Sequence, residues 1–408
     1  MPQAPAPHPG LDPRMLAALE RLGARAEKRP DRVVFIGRGD GQFGGNIKYL
    51  FLHCVEHAPD LHPVHLTFNR ETHRELRAAG LPSALFPEPG SLEAAAGAGY
   101  AVVDDFHFRS SPVSLLLSGA RLIQLWHGVG FKKIGFLEAT SGLDLTDQRR
   151  AELVALYSGY HAVLSTSPFY TEHLFRTCFG AEEVWETGYP RNDILFREPG
   201  KADLIQCDAA LYGRVRRLAK SRFVALYVPT FRDGGGDPFA AGALDLDALD
   251  AALGKMGAVL VVKLHTFSGN YSGFDFQNIL YCPSQTDAYP LMARCHCLVT
   301  DYSSIYTDWL MLDRPVLFFP YDWEEYIQKN RELQFDYDWI APGPKLRTQR
   351  DLTAALARLA KGGSVGYEAE RREIGRLAFA QHDGGACARV LARLRADIAA
   401  RAEPAPGD

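Results

Sequence analysis

Apolar residues fall along this chain in two alternating textures. Short apolar runs read as buried strands: Arg32 to Ile36, Val64 to Phe68, Ser83 to Phe86, Tyr100 to Val103, Leu122 to Leu125 and His161 to Leu164. Between them, Ile47 to Glu56 and Glu71 to Ala79 carry apolar residues at helical spacing. From Leu195 to Lys220 the pattern weakens into polar, basic sequence and then restarts. Phe223 to Val228, Ala258 to Leu264, Ile279 to Tyr281, Cys297 to Val299 and Val316 to Phe319 are strands in this reading. Leu246 to Met256, Ala288 to Cys295, Leu352 to Ala360, Tyr367 to Ala378 and Ala386 to Ala402 are its helices. Strands that are apolar throughout, alternating with helices, predict parallel sheets covered on both faces.

The expected class is therefore α/β, with two doubly wound Rossmann-type domains. The boundaries are 1–30 for an N-terminal amphipathic helix, 31–200 for the first domain and 201–220 for a linker. The second domain follows over 221–402, and 403–408 is a Pro-rich disordered tail. The cleft between the domains is the default site. In the first helix Met15, Leu16, Leu19 and Leu22 share a face, with Arg21, Arg25 and Lys28 towards the other. Such a helix either covers a domain edge or lies on an anionic membrane.

Composition narrows the function classes. The 408 residues carry a net charge of −4, which gives no footprint for a general nucleic-acid binder. The seven cysteines are scattered and odd in number, as expected of reduced thiols in a cytoplasmic protein. Cys295-His296-Cys297 lacks the second pair that a closed metal site requires. Met1 to Pro13 has no apolar core of a signal peptide, and no run approaches the roughly 20 apolar residues of a membrane span. The work is thus expected in the cytoplasm, or on a membrane surface reached from it. No Walker A loop is present. Gly362-Gly363-Ser364-Val365-Gly366 has the G-x-S-x-G form but lies between two helical stretches, where a nucleophile elbow follows a strand. Gly37 to Asn46 holds five glycines in a strand-to-helix loop, with Gly39, Gly41 and Gly44 at G-x-G-x-x-G spacing, but no acidic residue follows at the place the dinucleotide fingerprint requires. Asp245-Leu246-Asp247 has a D-x-D form but stands where a helix cap belongs.

Ligands of doubly wound sheets bind beyond the carboxyl ends of strands, and four strand ends here are polar. The run Leu122 to Leu125 leads to Trp126-His127-Gly128, with Lys132-Lys133 just after; Ala225 to Val228 leads to Thr230-Phe231-Arg232-Asp233. Leu260 to Leu264 leads to His265, and Cys297-Leu298-Val299 to Thr300-Asp301-Tyr302-Ser303-Ser304, with Asp308 following. A cleft imidazole at His127 suits a general base, though a histidine at a strand end is also commonly structural. Arg232 suits a phosphate clamp or an ion pair with Asp233, and His265 suits a donor to a phosphate oxygen. Ser303 and Ser304, at a helix start, suit either an anion site or simple capping.

These segments occur in a recognisable order. Phe43-Gly44-Gly45-Asn46-Ile47-Lys48-Tyr49-Leu50 comes first, then Trp126-His127-Gly128 with Lys132-Lys133-Ile134-Gly135. Thr187-Gly188-Tyr189-Pro190-Arg191-Asn192-Asp193 and Tyr227-Val228-Pro229-Thr230-Phe231-Arg232-Asp233 follow. Lys263-Leu264-His265, Thr300 to Ser304 with Asp308, and Arg314-Pro315 before Tyr321-Asp322 complete the series. Over roughly Val33 to Tyr326 the chain resembles the CDP-glycerol glycerophosphotransferase family, the teichoic-acid primases and polymerases with related capsule polymerases.

The resemblance implies a GT-B-like fold, two Rossmann-type domains facing across a cleft. It also implies transfer of an alditol phosphate from CDP-glycerol, or alternatively CDP-ribitol, to an acceptor hydroxyl with release of CMP and without a cofactor or dedicated metal. His127 would then be the catalytic base and His265 a catalytic contact to the donor phosphates. Arg232, Asp301, Ser303, Ser304 and Asp308 would serve the donor side, and Lys132 and Lys133 the acceptor side. The acceptor would be a lipid-linked saccharide or a growing polymer, handled by a peripheral protein on the cytoplasmic face of the inner membrane. Two departures stand beside the chemistry: Val129-Gly130 where teichoic-acid members usually have Thr-Pro, and Thr266 where Pro is common. Rival readings are a GT-B nucleotide-sugar glycosyltransferase and a non-catalytic scaffold on the same fold.

Overall fold

The computed structural model describes residues 12–140, 146–230, 239, 242–264, 275–329 and 333–402. Its first sheet takes β1 (Arg29–Ile36), β2 (His62–Thr67), β3 (Ser83–Leu85), β4 (Ala98–Val103), β5 (Arg121–Gln124), β6 (Ser158–Ser165) and β7 (Gly180–Glu186) in the order β3-β2-β1-β4-β5-β6-β7. Its second takes β8 (Phe223–Val228), β9 (Ala258–Val262), β10 (Ile279–Tyr281), β11 (Cys297–Thr300) and β12 (Val316–Phe318) in the order β10-β9-β8-β11-β12. The pairings among these strands are all parallel. In each sheet the order reverses once, between β1 and β4 and between β8 and β11. Those two switch points leave crevices at the carboxyl ends of the strands.

Burial explains why these runs are strands. Every residue of β4 and of β9 is buried, as expected where helices cover both faces of a sheet. The period of two then divides the second sheet between two cores. Val224, Leu226, Val259, Val261, Leu298 and Phe318 join the core that runs on into the first unit. Ala225, Tyr227, Leu260, Val262, Val299 and Leu317 face the opposite way, onto Leu249, Leu253, Leu352 and Leu356.

Buried polar contacts also join the two units. Lys48 Nζ lies 3.0 Å from Asp287 Oδ2, with both side chains almost fully buried, and Tyr49 donates its hydroxyl to the same oxygen at 2.7 Å. Burial pushes the Asp287 carboxyl up, but the ammonium beside it wins and holds it below the usual carboxylate range.

Three expectations change. The polar edge strand β7 carries only Trp185 fully buried, so it lacks the apolar run that marks its neighbours. The expected linker or linker helix, 201–220, takes the helical form over Ala209–Leu218 and is packed in, with Leu211, Tyr212 and Val215 buried. The last helix, Ala386–Ala402, expected within 221–402, packs instead on the first unit. Asp193 accepts the N–H groups of Ala386 and Cys387 at 2.9 and 2.8 Å, and Tyr100 donates to Asp397 at 2.6 Å. Its apolar stripe of Cys387, Val390, Leu391 and Leu394 is buried there.

The helix Pro13–Arg25 covers a domain edge: Leu19 and Gly23 are buried, and a side chain on Gly23 would strike Leu115 O. The expected tail 403–408 lies outside the described residues. Among those residues no helix is long and apolar enough to cross a membrane.

Candidate active site

His127 follows β5 on a loop with unusual backbone geometry. Trp126 adopts φ 55°, a left-handed conformation that a large side chain rarely takes. Hydrogen bonds hold it there: its N–H donates to Gln124 Oε1 at 2.9 Å, and Asn46 Nδ2 donates to its carbonyl at 2.7 Å. The indole lies against the His127 ring, 4.1 Å between centroids. His127 Nδ1 is 3.2 Å from Asp104 O, at the end of β4. A carbonyl only accepts, so Nδ1 carries the proton and Nε2 keeps its lone pair. Desolvation first, and then the positive charge of Arg38, push the imidazole down to about 3, so the ring is neutral at physiological pH.

The next residues touch the second unit directly. Gly128 has φ 150°, and a methyl group there would lie 2.7 Å from Ser304 Oγ and 3.3 Å from Arg191 Nη2. Thr307 Oγ1 donates to Val129 O at 2.6 Å, and a methyl on Gly130 would lie 3.2 Å from Ser304 Cβ. The His127 loop and the serine turn are therefore packed together here rather than held apart across open cleft. The small residues at 128 and 130 make that approach possible.

A buried clasp sets this approach. Arg191 Nη1 donates to His127 O at 2.7 Å, and Arg191 Nη2 donates to Asp308 Oδ2 at 2.6 Å. Tyr289 adds its hydroxyl to the same carboxylate oxygen at 2.6 Å. The guanidinium sits between the rings of Tyr189 and Tyr289, 5.0 and 5.2 Å from their centroids. Asn46 joins the same frame, its Oδ1 accepting the Arg191 N–H at 3.1 Å.

Asp301 holds the second switch point together. Its Oδ1 accepts the N–H groups of Thr230 and Tyr302 at 2.8 and 2.6 Å, while Thr300 Oγ1 donates to Val228 O. Ser303 Oγ accepts weakly from Ile305 N at 3.4 Å, and Ser304 makes no side-chain cap to the short helix Ile305–Trp309. Asp301 thus ties the turn to the end of β8, Asp308 binds Arg191 and Tyr289, and Ser303 and Ser304 are partly exposed.

Lys132 is placed by an antiparallel bridge to Leu333, with its ammonium 5.3 Å above the Tyr326 ring; Lys133 is half-buried beside it. Arg232 and His265 lie outside the described residues. Lys263, just after β9, donates to the carbonyls of Pro283 and Ser284. Asp245 accepts from Ala248 N at 3.0 Å, the capping role expected of it. His296 accepts from Val224 N, and among the described residues no three His, Cys, Asp or Glu side chains cluster as a metal site.

Four contributors were not singled out from sequence as site residues. Asn46 and Arg191 lie inside quoted motifs, and their place there was the available signal. Arg38 and Asp104 follow β1 and β4, the strands that flank the first switch point, and the glycine-rich loop carrying Arg38 was the only hint.

Residues 18–395 match the family model for CDP-Glycerol:Poly(glycerophosphate) glycerophosphotransferase. A teichoic acid poly(glycerol phosphate) polymerase of Bacillus spizizenii is 29% identical over 245 residues, 57% of this chain and 60% of the relative. A teichoic acid poly(ribitol-phosphate) polymerase of the same organism is 31% identical over 264 residues, 62% of this chain and 40% of the relative. The chain thus matches between about two fifths and three fifths of the length of these curated relatives. The wall teichoic acid polymerase TagF superposes with a TM-score of 0.74 at 22% identity, covering 96% of this chain and 95% of that one. The architecture is GT-B-like, as the motif series implied.

Proposed function

From the premise that the chain belongs to the CDP-glycerol:poly(glycerophosphate) glycerophosphotransferase family, we propose that it transfers glycerol phosphate from CDP-glycerol to an acceptor hydroxyl and releases CMP. The observation that carries this reading is the neutral His127 imidazole, its Nε2 lone pair available, packed beside the Ser303–Ser304 turn. In this mechanism the acceptor oxygen forms a bond to the glycerol-bearing phosphorus. The bond from that phosphorus to the bridging oxygen breaks, and the oxygen leaves with CMP. The acceptor proton passes to His127 Nε2. Phosphoryl transfer asks a protein chiefly to position the reactants and stabilise charge on the phosphoryl oxygens. Ser303 and Ser304 would do so from the turn, with Arg232 and His265 from the segments after β8 and β9. Asp301 and Asp308 would hold that turn, and Lys132 and Lys133 would favour an anionic acceptor.

CDP-ribitol is the second donor to consider, because a ribitol-phosphate polymerase is among the relatives at 31% identity. The acceptor in this proposal is a lipid-linked saccharide or a growing polymer at the cytoplasmic face of a membrane, for a teichoic-acid-like or capsular product. Exposed Met15 and Leu22, beside exposed Arg14, Arg21 and Arg25 on the first helix, support a peripheral membrane contact. The test incubates the protein with CDP-glycerol and CDP-ribitol separately, following CMP and analysing the product by mass spectrometry. CMP with a new phosphodiester is the expected result. No CMP from either donor, or CMP without a new phosphodiester, would overturn the reading.

A further inference from the structure

The carboxyl end of β4 carries a histidine that the chemistry above leaves unused. His107 opens the short turn His107–Ser110, and Asp105 binds it twice. Asp105 Oδ1 accepts the His107 backbone N–H at 2.9 Å, and Oδ2 accepts the ring Nδ1–H at 2.5 Å. The Asp105 side chain is 4% exposed and that of His107 is 62% exposed. The pair thus buries its carboxylate and turns the far side of the imidazole outward. Nε2 makes no hydrogen bond among the described residues. Phe106, stacked on the ring at 5.2 Å between centroids, fixes it further.

Contacts place this pair beside His127. Strands β4 and β5 are hydrogen-bonded neighbours, with Val103 opposite Gln124. From the end of β5, His127 Nδ1 donates to Asp104 O at 3.2 Å, and Gln124 Nε2 donates to Asp105 O at 2.9 Å. The Phe106 ring lies 6.4 Å from Trp126, which lies 4.1 Å from His127. The two imidazoles are set apart in charge. His127 is neutral, whereas the hydrogen bond to Asp105 pushes His107 up, so it stays charged to higher pH than a free histidine. Burial pushes the Asp105 carboxyl up, but His107 wins and holds it below the usual range. The other charged groups near the turn are Arg38 and Asp40 of the turn Arg38–Gly41, Asp104, and Arg109. Arg38 pushes His107 down and Asp104 pushes it up, while Asp40 is bound to Asn69 and Arg109 to Ser158 O. Their balance leaves the effect of Asp105 in place.

We propose that His107 is a second catalytic histidine of the first unit, donating its Nε2–H to an oxygen of the phosphoryl group being transferred. The inference rests on the transferase reading above and adds a residue to its chemistry. With Nδ1 committed to Asp105 and Nε2 protonated, the ring has no lone pair for a base and a charged donor for an anion. In the transfer, negative charge lies on the phosphoryl oxygens, midway between an acceptor held at His127 and CMP held by the second unit. A donor one strand away from His127 is aimed at that charge, and Asp105 orients it beforehand. His107 keeps its proton throughout, and the bonds made and broken are those already given. Two like side chains at adjacent strand ends thus divide the work, one neutral and one charged.

The test titrates His107 by NMR in the full chain, free and saturated with CDP-glycerol in the absence of acceptor, with His107→Gln assigning its signal. Donor binding should raise the His107 midpoint by about 0.5 pH or more, equivalent to roughly threefold tighter binding to the charged ring. In turnover, His107→Gln should lower kcat by about 10–100-fold, the scale of a lost charge-assisted hydrogen bond, and leave KM for CDP-glycerol within a few-fold. Asp105→Asn should lose about fourfold or more of its turnover at pH 7, where an unsupported imidazole is mostly neutral, and regain most of it at pH 5.5. A merely structural aspartate would not be rescued by acid. An unmoved midpoint with donor bound, turnover of His107→Gln within about twofold of wild type, or an Asp105→Asn chain that acid does not rescue would each overturn the assignment. A wild-type chain that neither binds CDP-glycerol nor releases CMP overturns the transferase reading itself, and this inference with it.

Discussion

Removing Asp308 should separate the two tasks of the Arg191 clasp. The Arg191 side chain is 6% exposed and that of Asp308 is 1% exposed, so Asp308→Ala leaves a guanidinium buried without its counter-ion. What remains is the bond to His127 O at 2.7 Å and the two tyrosine faces. Breaking one partner of a buried pair costs about 3–5 kcal/mol. The Tyr289 hydroxyl also loses its acceptor, which adds ~1 kcal/mol or more. Urea unfolding followed by tryptophan fluorescence should therefore show a loss of about 4 kcal/mol at an unchanged slope. The double variant Arg191→Met, Asp308→Leu should regain much of that stability, since an apolar pair of similar volume often replaces a buried ion pair without loss. It should not regain activity, because the His127 carbonyl has lost the donor that holds its loop. A loss under ~1 kcal/mol in Asp308→Ala, or a double variant with wild-type turnover, would refute the reasoning.

Three further outcomes follow from the same geometry. The His127 ring, pushed down towards 3 by desolvation and by Arg38, should show no NMR titration between pH 5 and 8; a midpoint near the ordinary 6.5 would contradict a desolvated, Nδ1-protonated ring. Gly128→Ala should cut turnover by at least about tenfold, because its methyl meets Ser304 Oγ at 2.7 Å. Gly80→Ala, at φ 75° with nothing within 4 Å, should cost only ~1 kcal/mol of stability and leave turnover alone. Asp104→Asn should flatten any change in CDP-glycerol turnover above pH 7. In the wild type, ionisation of Asp104 there puts a negative charge among Arg38, Asp105, Arg191 and His127; an unchanged profile would remove Asp104 from the account.

The central strands were legible because covering both faces of a sheet demands unbroken apolar runs, as in β4 and β9. Edge strand β7 faces solvent along most of its length and so resembles loop. The stripe on Ala386–Ala402 announced a buried face but not which unit would bury it. The site divides along the same line. His127 and the serine turn stand at strand ends, a position that local pattern reveals. Asn46, Arg191 and Asp104 act through bonds to Trp126, His127 and Asp308, far away in the chain, and no local period records such a partner. Motif order marked Arg191 as belonging to something, and only the fold shows that it clasps the His127 loop to the helix Ile305–Trp309.

The most direct test of the account is single-turnover CMP release from CDP-glycerol by the wild type and by His127→Asn, with donor binding measured in parallel by calorimetry. The account predicts that the variant binds CDP-glycerol within a few-fold of the wild type while CMP release falls by about 10²–10⁴, the share of a general base. Wild-type release from the variant would show that His127 is not the base.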